Sequence, residues 1–215
     1  MGSTPRRQPL MPLLIRGLSF SYRNTKVFDS FSFTTSDRIV VLRGPSGCGK
    51  TTLLKILSRN LIPDHVVEIS APQKTLMLVQ EDALAPWLTG IDNISRFTGV
   101  ARADVEGHPA FMHIRPFLYR RACEMSYGQR RLIELTRATL IVPSLLCLDE
   151  PFNFLDPRSR RIFTEILLND ALLPDTQIMI TSHYLEDFEA QKITQFEFDG
   201  DLPVSQLCLR EGGRS

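Results

Sequence analysis

The sequence has no excess of charge of either sign, and this argues against a polyanionic partner. Its 215 residues include 25 Lys and Arg against 24 Asp and Glu, which gives a formal net charge of +1 at pH 7. A protein that binds nucleic acid through phosphate contacts usually presents a clear surplus of Lys and Arg. We therefore predict no nucleic-acid partner.

Cysteine is scarce, and its spacing disfavours the folds that depend on it. A disulfide framework is typical of short chains rich in cysteine, and a structural zinc site typically needs closely spaced cysteines. The cysteines here are widely spaced and form no C-x-x-C pair. We therefore predict reduced thiols in a cytosolic protein. The four cysteines are Cys48, Cys123, Cys147 and Cys208.

The sequence also lacks a hydrophobic run long enough to span a membrane. The apolar run at residues 10–15 is short and is broken by Pro12, whereas a membrane-spanning helix needs about 20 apolar residues. If the protein serves a membrane, we expect it to act from the surface through partners. Residues 1–12 contain proline and arginine and are predicted to form a flexible tail, and residues 13–215 are predicted to form one domain.

What the sequence does contain is a complete phosphate-loop pattern, GxxxxGK[ST], at residues 44–51. The β-branched run 39–42 precedes it as a predicted buried strand, and the apolar run 53–57 follows it as a predicted helix. Strand, glycine-rich turn and helix are the context that this pattern requires. A glycine-rich turn that precedes a lysine by chance is the alternative, and the correct flanks on both sides disfavour it.

The residue types of this loop suit a nucleoside triphosphate. The glycines let backbone N–H groups point at phosphate oxygens near the positive end of the following helix. Lys50 can reach the β- and γ-phosphates, and the Thr51 hydroxyl can ligate Mg²⁺. The predicted nucleotide-binding residues of the loop are Gly44, Pro45, Ser46, Gly47, Cys48, Gly49, Lys50, Thr51 and Thr52.

Polar side chains end three predicted strands. Gln80 follows one apolar run, Asp149 and Glu150 follow a second, and His183 closes a third. Ligands of open α/β sheets bind at the carboxyl ends of the strands, so we expect these side chains near the phosphate loop. One acid there can hold Mg²⁺, and an adjacent acid can polarise the attacking water. The alternatives are ordinary strand ends with solvated charges and a histidine with a structural role.

Two further segments complete the predicted α/β fold, a phosphate-loop NTPase core with an antiparallel β subdomain and an inserted α-helical subdomain. Residues 13–22 alternate as an edge strand would, and residues 27–34 are predicted to be its hairpin partner. Tyr22 in the first strand is either a base-stacking residue or, more commonly for a strand aromatic, a residue that packs on the sheet.

The helical insert is predicted at about residues 83–135, where proline and glycine punctuate the chain. Short helical pieces are expected at 92–97 and 109–123. Trp87 at its start is either an exposed partner anchor or a core residue of the insert. Further along the insert, Ser126 is predicted to cap a helix.

The order of these motifs resembles the ATP-binding-cassette ATPases over nearly the whole chain. The motifs are Tyr22, the phosphate loop, Gln80, residues 126–129, residues 145–150, Leu155 with Asp156, and His183. The signature turn (residues 125–129) and the histidine separate this family from other phosphate-loop NTPases. The segment VQEDALAPWLT at residues 79–89 is similar to the importer ATPases for nitrate, sulfonate and taurine.

The resemblance implies a role for each matching residue. Tyr22 would stack on adenine, and the phosphate loop would bind ATP. Thr51 and Asp149 would hold Mg²⁺. Gln80 would be a catalytic residue that touches Mg²⁺ or the attacking water, and it would also couple to a membrane subunit. Glu150 would be the general base, and His183 would contact the γ-phosphate. The residues implied to bind the ATP of an opposite protomer are Ser126, Gly128 and Gln129, and Asp156 is implied to communicate across that dimer.

The resemblance also implies partners and a location. A second ATPase protomer, the same chain or a different one, transmembrane permease subunits and a solute-binding protein are expected. The chain would power solute uptake from the cytoplasmic face of the cell membrane as a peripheral subunit. A nucleotide-binding regulatory module with little hydrolysis is the alternative.

Three residues, Met125, Tyr127 and Leu132, depart from the family pattern. The signature reads Met-Ser-Tyr-Gly-Gln instead of the usual Leu-Ser-Gly-Gly-Gln, and Leu132 stands where an arginine is usual. Glycine allows close backbone approach, so the side chain of Tyr127 either points away from the shared site or weakens it.

Overall fold

The computed structural model of the chain describes residues 10–169, 171–182 and 193–210. The predicted catalytic residue His183 and residues 1–9 of the predicted tail lie outside these ranges. Within them the predicted α/β fold is confirmed: nine strands form two sheets, and six α-helices accompany them. All four cysteines are free thiols, as predicted.

The smaller sheet is antiparallel and has three strands. Strand β1 (Leu13–Tyr22) pairs with β2 (Thr25–Thr35) on one side and with β4 (Glu68–Ser70) on the other. The predicted hairpin of β1 and β2 is therefore confirmed, but the prediction that β1 is an edge strand is wrong. An alternating pattern reports that one face is buried and does not report how many strands pair with it.

The larger sheet has six strands in the order β5-β6-β7-β3-β8-β9. Its strands run parallel to their neighbours, except that β9 is antiparallel to β8. Because helices or the second sheet cover both faces, the central strands are almost continuously apolar. The strands are β3 (Ile39–Arg43), β5 (Thr75–Leu78), β6 (Leu145–Asp149), β7 (Gln177–Thr181), β8 (Thr194–Glu197) and β9 (Cys208–Arg210).

The helices lie mainly in the segment between β5 and β6. The prediction of one helical piece at 109–123 is wrong, because only residues 111–114 are α-helical there and a short 3₁₀ helix follows at Ala122–Glu124. Pro116 lacks the N–H that a continuous helix would need. The helices are α1 (Lys50–Leu57), α2 (Gly90–Thr98), α3 (Arg102–Gly107), α4 (Phe111–Ile114), α5 (Tyr127–Ile141) and α6 (Pro157–Leu168).

The larger sheet separates two hydrophobic clusters. Alternate residues of β3 show this division, since Val40 and Leu42 face one cluster with α1 and the small sheet. Ile39 and Val41 face the other cluster, which contains α5, α6 and the helices of the insert. The helix that begins at the signature turn is thus packed on the same sheet that carries the predicted acids. Among the described helices, none combines the length and apolarity needed to cross a membrane.

Trp87 is 72% exposed, so it is not a core residue of the insert. Its other interpretation, an anchor for a partner, stays a prediction.

Candidate nucleotide-binding site

The phosphate loop adopts backbone angles that favour glycine. Strand β3 ends at Arg43, and α1 begins at Lys50. Gly44 has a φ of 134°, and a Cβ added there would lie 2.9 Å from the carbonyl oxygen of Phe198. Gly49 has a φ of 105° immediately before the helix. Side chains at these two positions would strain the turn, so the glycines give the loop its shape.

Lys50 places a buried positive charge within this loop. Its Nζ donates hydrogen bonds to the carbonyl oxygens of Gly44 at 2.7 Å and Pro45 at 2.8 Å. Lys50 is also the first residue of α1, where unpaired backbone N–H groups carry the positive end of the helix dipole. The ammonium and the helix terminus together suit an anionic ligand.

Asp149 joins the carboxyl ends of two strands to the phosphate loop. Its Oδ2 accepts a hydrogen bond from the Thr51 hydroxyl at 2.8 Å, and its Oδ1 accepts one from the Thr181 hydroxyl at 2.8 Å. The Thr181 oxygen in turn accepts the backbone N–H of Glu150 at 2.9 Å. This network fixes the positions of both acids at the end of β6.

The donor atoms of Thr51 and Asp149 fit Mg²⁺ better than a softer metal. Both side chains offer oxygen, which magnesium prefers, and magnesium typically takes one or two carboxylates together with substrate phosphates and water. No group of three or more His, Cys, Asp or Glu that could hold a metal occurs in the part of the chain that the structure describes. The oxygen donors of Thr51 and Asp149 suit an ion that also takes phosphate oxygens as ligands.

A cavity of about 480 Å³ brings most of the predicted residues together. Tyr22, Gln80, both acids at the end of β6 and the unpredicted Asn153 line it, together with Ser46, Gly47, Gly49, Lys50, Thr51 and Thr52 of the phosphate loop. The predicted loop residues Gly44, Pro45 and Cys48 are not part of this lining. The signal for Asn153 is weak, because a polar residue in a loop has many ordinary uses. The predicted convergence of three strand ends on the loop is thus observed for two of them, and His183 lies outside the described residues.

Tyr22 and Glu150 both line this cavity, Tyr22 with a partly exposed ring and Glu150 with an uncommon backbone angle. Tyr22 is 46% exposed, and its ring packs edge-on against Phe20 with centroids 4.8 Å apart, so it packs on the sheet while part of the side chain remains accessible. Glu150 has a φ of 46°, in the left-handed region that non-glycine residues seldom adopt. Such backbone outliers concentrate at functional sites.

The signature turn lies at the start of α5 and is held by a capping box. The Gln129 N–H donates to Ser126 Oγ at 3.3 Å, and the Ser126 N–H donates to Gln129 Oε1 at 3.0 Å. The predicted helix cap is therefore confirmed. Neither these two residues nor Gly128 are among the described residues that line the cavity of the phosphate loop.

Tyr127 turns its side chain onto its own chain. Its phenol donates a hydrogen bond to the carbonyl oxygen of Gln80 at 2.5 Å. Its ring packs against Phe154 with centroids 4.6 Å apart.

Arg131 is a buried residue of the site's surroundings that the sequence analysis missed. It is 2% exposed and donates hydrogen bonds to the carbonyl oxygens of Val79 at 2.6 Å and Asp149 at 3.1 Å. It also pairs with Glu134 at 3.0 Å. Burial raises the pKa of Glu134, while the Ala83 N–H and the charge of Arg131 act in the opposite direction. A charged pair spaced i, i+3 among the apolar residues of α5 was the available signal.

Asp156 caps α6, with its Oδ1 accepting the Ser159 N–H at 3.0 Å. Hydrogen bonds from the Ser159 hydroxyl and N–H lower the pKa of Asp156. The Ser159 Oγ also lies 2.7 Å from Nε2 of His113, so a residue of the helical insert contacts this cap.

Comparison with known proteins gives consistent matches. A family profile described as ABC transporter matches residues 29–153. A taurine import ATP-binding protein of Pseudomonas aeruginosa is 34% identical over 155 residues, which cover 65% of this chain and 58% of that protein. An sn-glycerol-3-phosphate import ATP-binding protein of Burkholderia ambifaria is 31% identical over 194 residues, which cover 81% of this chain and 54% of that protein. The matches thus span little more than half the length of these two relatives.

A solved structure described as the ATP-binding subunit of an ABC transporter superposes with a TM-score of 0.76. It covers 94% of this chain and 90% of its own, at 21% sequence identity. The likeness at this identity supports the fold.

Proposed function

Because the chain belongs to the ABC transporter family, we propose that it is the ATP-binding and ATP-hydrolysing subunit of an importer for a small solute. The observation that carries the proposal is the cavity in which the phosphate loop, Tyr22, Gln80 and the two acids of β6 converge. A triphosphate needs a cationic cradle, an oxygen-rich metal site and a base within one cavity. The roles below follow from that convergence.

The nucleotide would lie along the phosphate loop. Loop N–H groups and Lys50 would bind the β- and γ-phosphates, and the accessible part of the Tyr22 side chain would stack on the adenine. Thr51, Asp149 and Gln80 would hold Mg²⁺, which supplies charge neutralisation between the β- and γ-phosphates when bound.

Glu150 would act as the general base of hydrolysis. Its carboxylate would accept a proton from water as the water oxygen bonds to the γ-phosphorus and the bond from phosphorus to the β,γ-bridging oxygen breaks. The hydrogen bond from its N–H to Thr181 keeps the backbone in place. His183, outside the described residues, is proposed to contact the γ-phosphate.

A second protomer is proposed to complete the site. Ser126, Gly128 and Gln129 of one chain would close over the nucleotide of the other, and Asp156 would communicate across the dimer. Residues 13–215 would act as one domain with a helical insert at about 83–135. Permease subunits and a solute-binding protein would complete the transporter, with this chain peripheral on the cytoplasmic face of the membrane.

The proposed solute belongs to the taurine, sulfonate and nitrate class. The segment at residues 79–89 and the taurine import relative support this choice. Reconstitution with candidate permease and binding subunits in vesicles tests it, because a taurine-loaded binding protein should stimulate ATP hydrolysis. Stimulation by glycerol 3-phosphate alone would contradict the choice of solute and leave the ATPase assignment intact.

Replacing the proposed base tests the ATPase assignment. We expect Glu150→Gln to bind ATP within about twofold of wild type and to lower turnover by about 10²–10⁴-fold, the contribution of a positioned base. Phosphate release measures turnover, and gel filtration with ATP should reveal a trapped dimer. The matched control is Glu165→Gln, at an exposed acid of α6, which should hydrolyse ATP normally.

Two results would count against the assignment. Normal hydrolysis by Glu150→Gln would refute the role of that carboxylate. Absence of turnover by the wild-type chain, alone and with membrane partners, would favour a nucleotide-binding regulatory module.

A further inference from the structure

We propose that Tyr127 is a positioning residue that fastens the glutamine loop (residues 79–83) to the signature turn within one chain. The inference rests on the proposed function, because it assigns a task to a residue that stands where the family pattern has glycine. It concerns the connection between the two halves of the ATP site: the half that binds nucleotide in this chain and the half that faces a partner.

A hydrogen bond joins the two segments directly. The Tyr127 phenol donates to the carbonyl oxygen of Gln80 at 2.5 Å, across 47 positions of sequence. Gln80 lines the nucleotide cavity. Tyr127 is the first residue of α5, directly after the Ser126 cap. One side chain thus spans from the cavity wall to the signature turn, a contact that glycine could not make.

The Tyr127 ring also packs against a third segment, the loop that contains Phe154. Tyr127 and Phe154 pack edge to face at 62° with centroids 4.6 Å apart, a favourable aromatic geometry. The Arg130 guanidinium lies 5.6 Å from the centroid of the same ring. A Cβ added to Gly128 would lie 2.9 Å from the Phe154 carbonyl oxygen, so the turn and the Phe154 loop are in close backbone contact. This packing restricts the ring and keeps the phenol directed at Gln80.

Further side chains of α5 contact the glutamine loop. Arg130 forms an ion pair with Asp82, Arg131 donates to the Val79 carbonyl oxygen at 2.6 Å, and Glu134 Oε1 accepts the Ala83 N–H at 2.6 Å. Residues at i, i+3, i+4 and i+7 lie on one face of a helix. Tyr127 begins that face, and it is the member whose contact falls on Gln80.

The consequence is that the glutamine loop and the signature turn should move together. A shift of Gln80 toward bound nucleotide would pull on the phenol, and through it on the turn that faces the second protomer. With glycine at position 127 this direct link would be absent, and the connection would depend on the rest of α5.

Amide hydrogen exchange of the 215-residue chain without nucleotide tests whether the Tyr127 hydrogen bond stabilises the glutamine loop. Tyr127→Phe removes the phenol and keeps the ring against Phe154. We expect exchange in the peptide covering residues 79–85 to accelerate by about threefold to tenfold, the effect of losing one hydrogen bond. The control is Tyr119→Phe, which removes an exposed phenol that donates to Glu106 at 3.2 Å and should leave this peptide unchanged.

A merely structural role for Tyr127 predicts a different result. Loss of packing would lower the melting temperature and accelerate exchange throughout the α5 region. The fastening predicts a local change with nearly unchanged melting temperature. Wild-type exchange at residues 79–85 in Tyr127→Phe, or a uniform acceleration, would overturn the proposal.

Addition of ADP with Mg²⁺ tests the transmission. In the wild type, nucleotide should slow exchange at residues 79–85 and at residues 125–130, and in Tyr127→Phe it should slow exchange at 79–85 alone. Repeating the measurement at tenfold lower protein concentration separates this effect from protection by a partner chain, which weakens on dilution. Equal protection of residues 125–130 in both proteins would overturn the transmission. If the wild type bound no nucleotide, the proposed function would fail, and the nucleotide-free measurement would still decide the fastening.

Discussion

The phosphate loop and the signature turn both carry predicted ATP-binding residues, but they are held in different ways. The loop takes its shape from glycines with positive φ and from bonds of Lys50 to carbonyls five and six positions away. The signature turn has a local capping box, yet Tyr127 and Arg131 reach 47 and 52 positions along the chain to Gln80 and Val79. Both motifs are recognisable from sequence, but only the local bonds can be predicted from it, and the distant side-chain partners of Tyr127 and Arg131 cannot.

Removal of Arg131 should have the largest effect on stability, because Arg131 makes the long-range contacts that hold the region of the signature turn. Arg131→Met leaves Glu134 buried without its cation, and breaking a buried pair in this way costs about 3–5 kcal/mol. Urea unfolding measures the loss. The exposed Arg161→Met on α6 is the control and should change stability by less than about 0.5 kcal/mol. The double variant Arg131→Met/Glu134→Met should recover much of the loss.

The loss should also depend on pH with a defined sign. Burial already raises the pKa of Glu134, and Arg131 opposes that rise, so the pKa of Glu134 should rise further in Arg131→Met. A carboxyl with a raised folded-state pKa favours folding at low pH, and that stability is lost as the pH rises through the raised pKa. The penalty of Arg131→Met should therefore be smaller at pH 5 than at pH 8. A penalty that grew on acidification would contradict the burial of an ionised Glu134.

Replacement of Lys50, which bonds locally within the phosphate loop, should lower ATP turnover more than it lowers stability. Lys50→Ala removes the cation of the phosphate loop, and loss of one preorganised charged donor costs about 10²–10³-fold in turnover. Its melting temperature should fall less than that of Arg131→Met. Lys55→Ala, one turn further along α1 and away from the cavity lining, is the control and should hydrolyse ATP normally. Normal turnover of Lys50→Ala would contradict the site.

The smallest effect is expected at the capping box, which is the local part of the signature turn. Ser126→Ala removes the acceptor of the Gln129 N–H, and loss of such a cap costs about 1 kcal/mol. Thr89→Ala at the start of α2 removes an equivalent acceptor of the Asp92 N–H and should lose similar stability. If the predicted role of Ser126 is correct, turnover should fall in Ser126→Ala and not in Thr89→Ala. Equal turnover of the two variants would leave Ser126 as a cap alone.

Elements whose sequence pattern is complete within a short window were predicted correctly. The strand, turn and helix around the phosphate loop, the buried strand before Asp149 and the cap at Ser126 are all present. Two predictions were wrong, one about the strands that pair with β1 and one about the extent of a helix. Strand β1 was predicted at an edge, and a helical piece was predicted across Pro116. The roles of the individual site residues stay predictions that the variants above can test.

The chemistry of the phosphate loop follows from its nine residues alone, because glycine backbone freedom, a helix terminus and a lysine act within that window. The sequence also determines which strands end in polar side chains. The contact of Tyr127 with Gln80, and the contacts of Arg131 with the ends of β5 and β6, follow instead from how the folded chain packs. These contacts arise because the larger sheet and α5 bring together residues that lie 18 to 52 positions apart, and side-chain partners at such separations leave no periodic signal in the sequence.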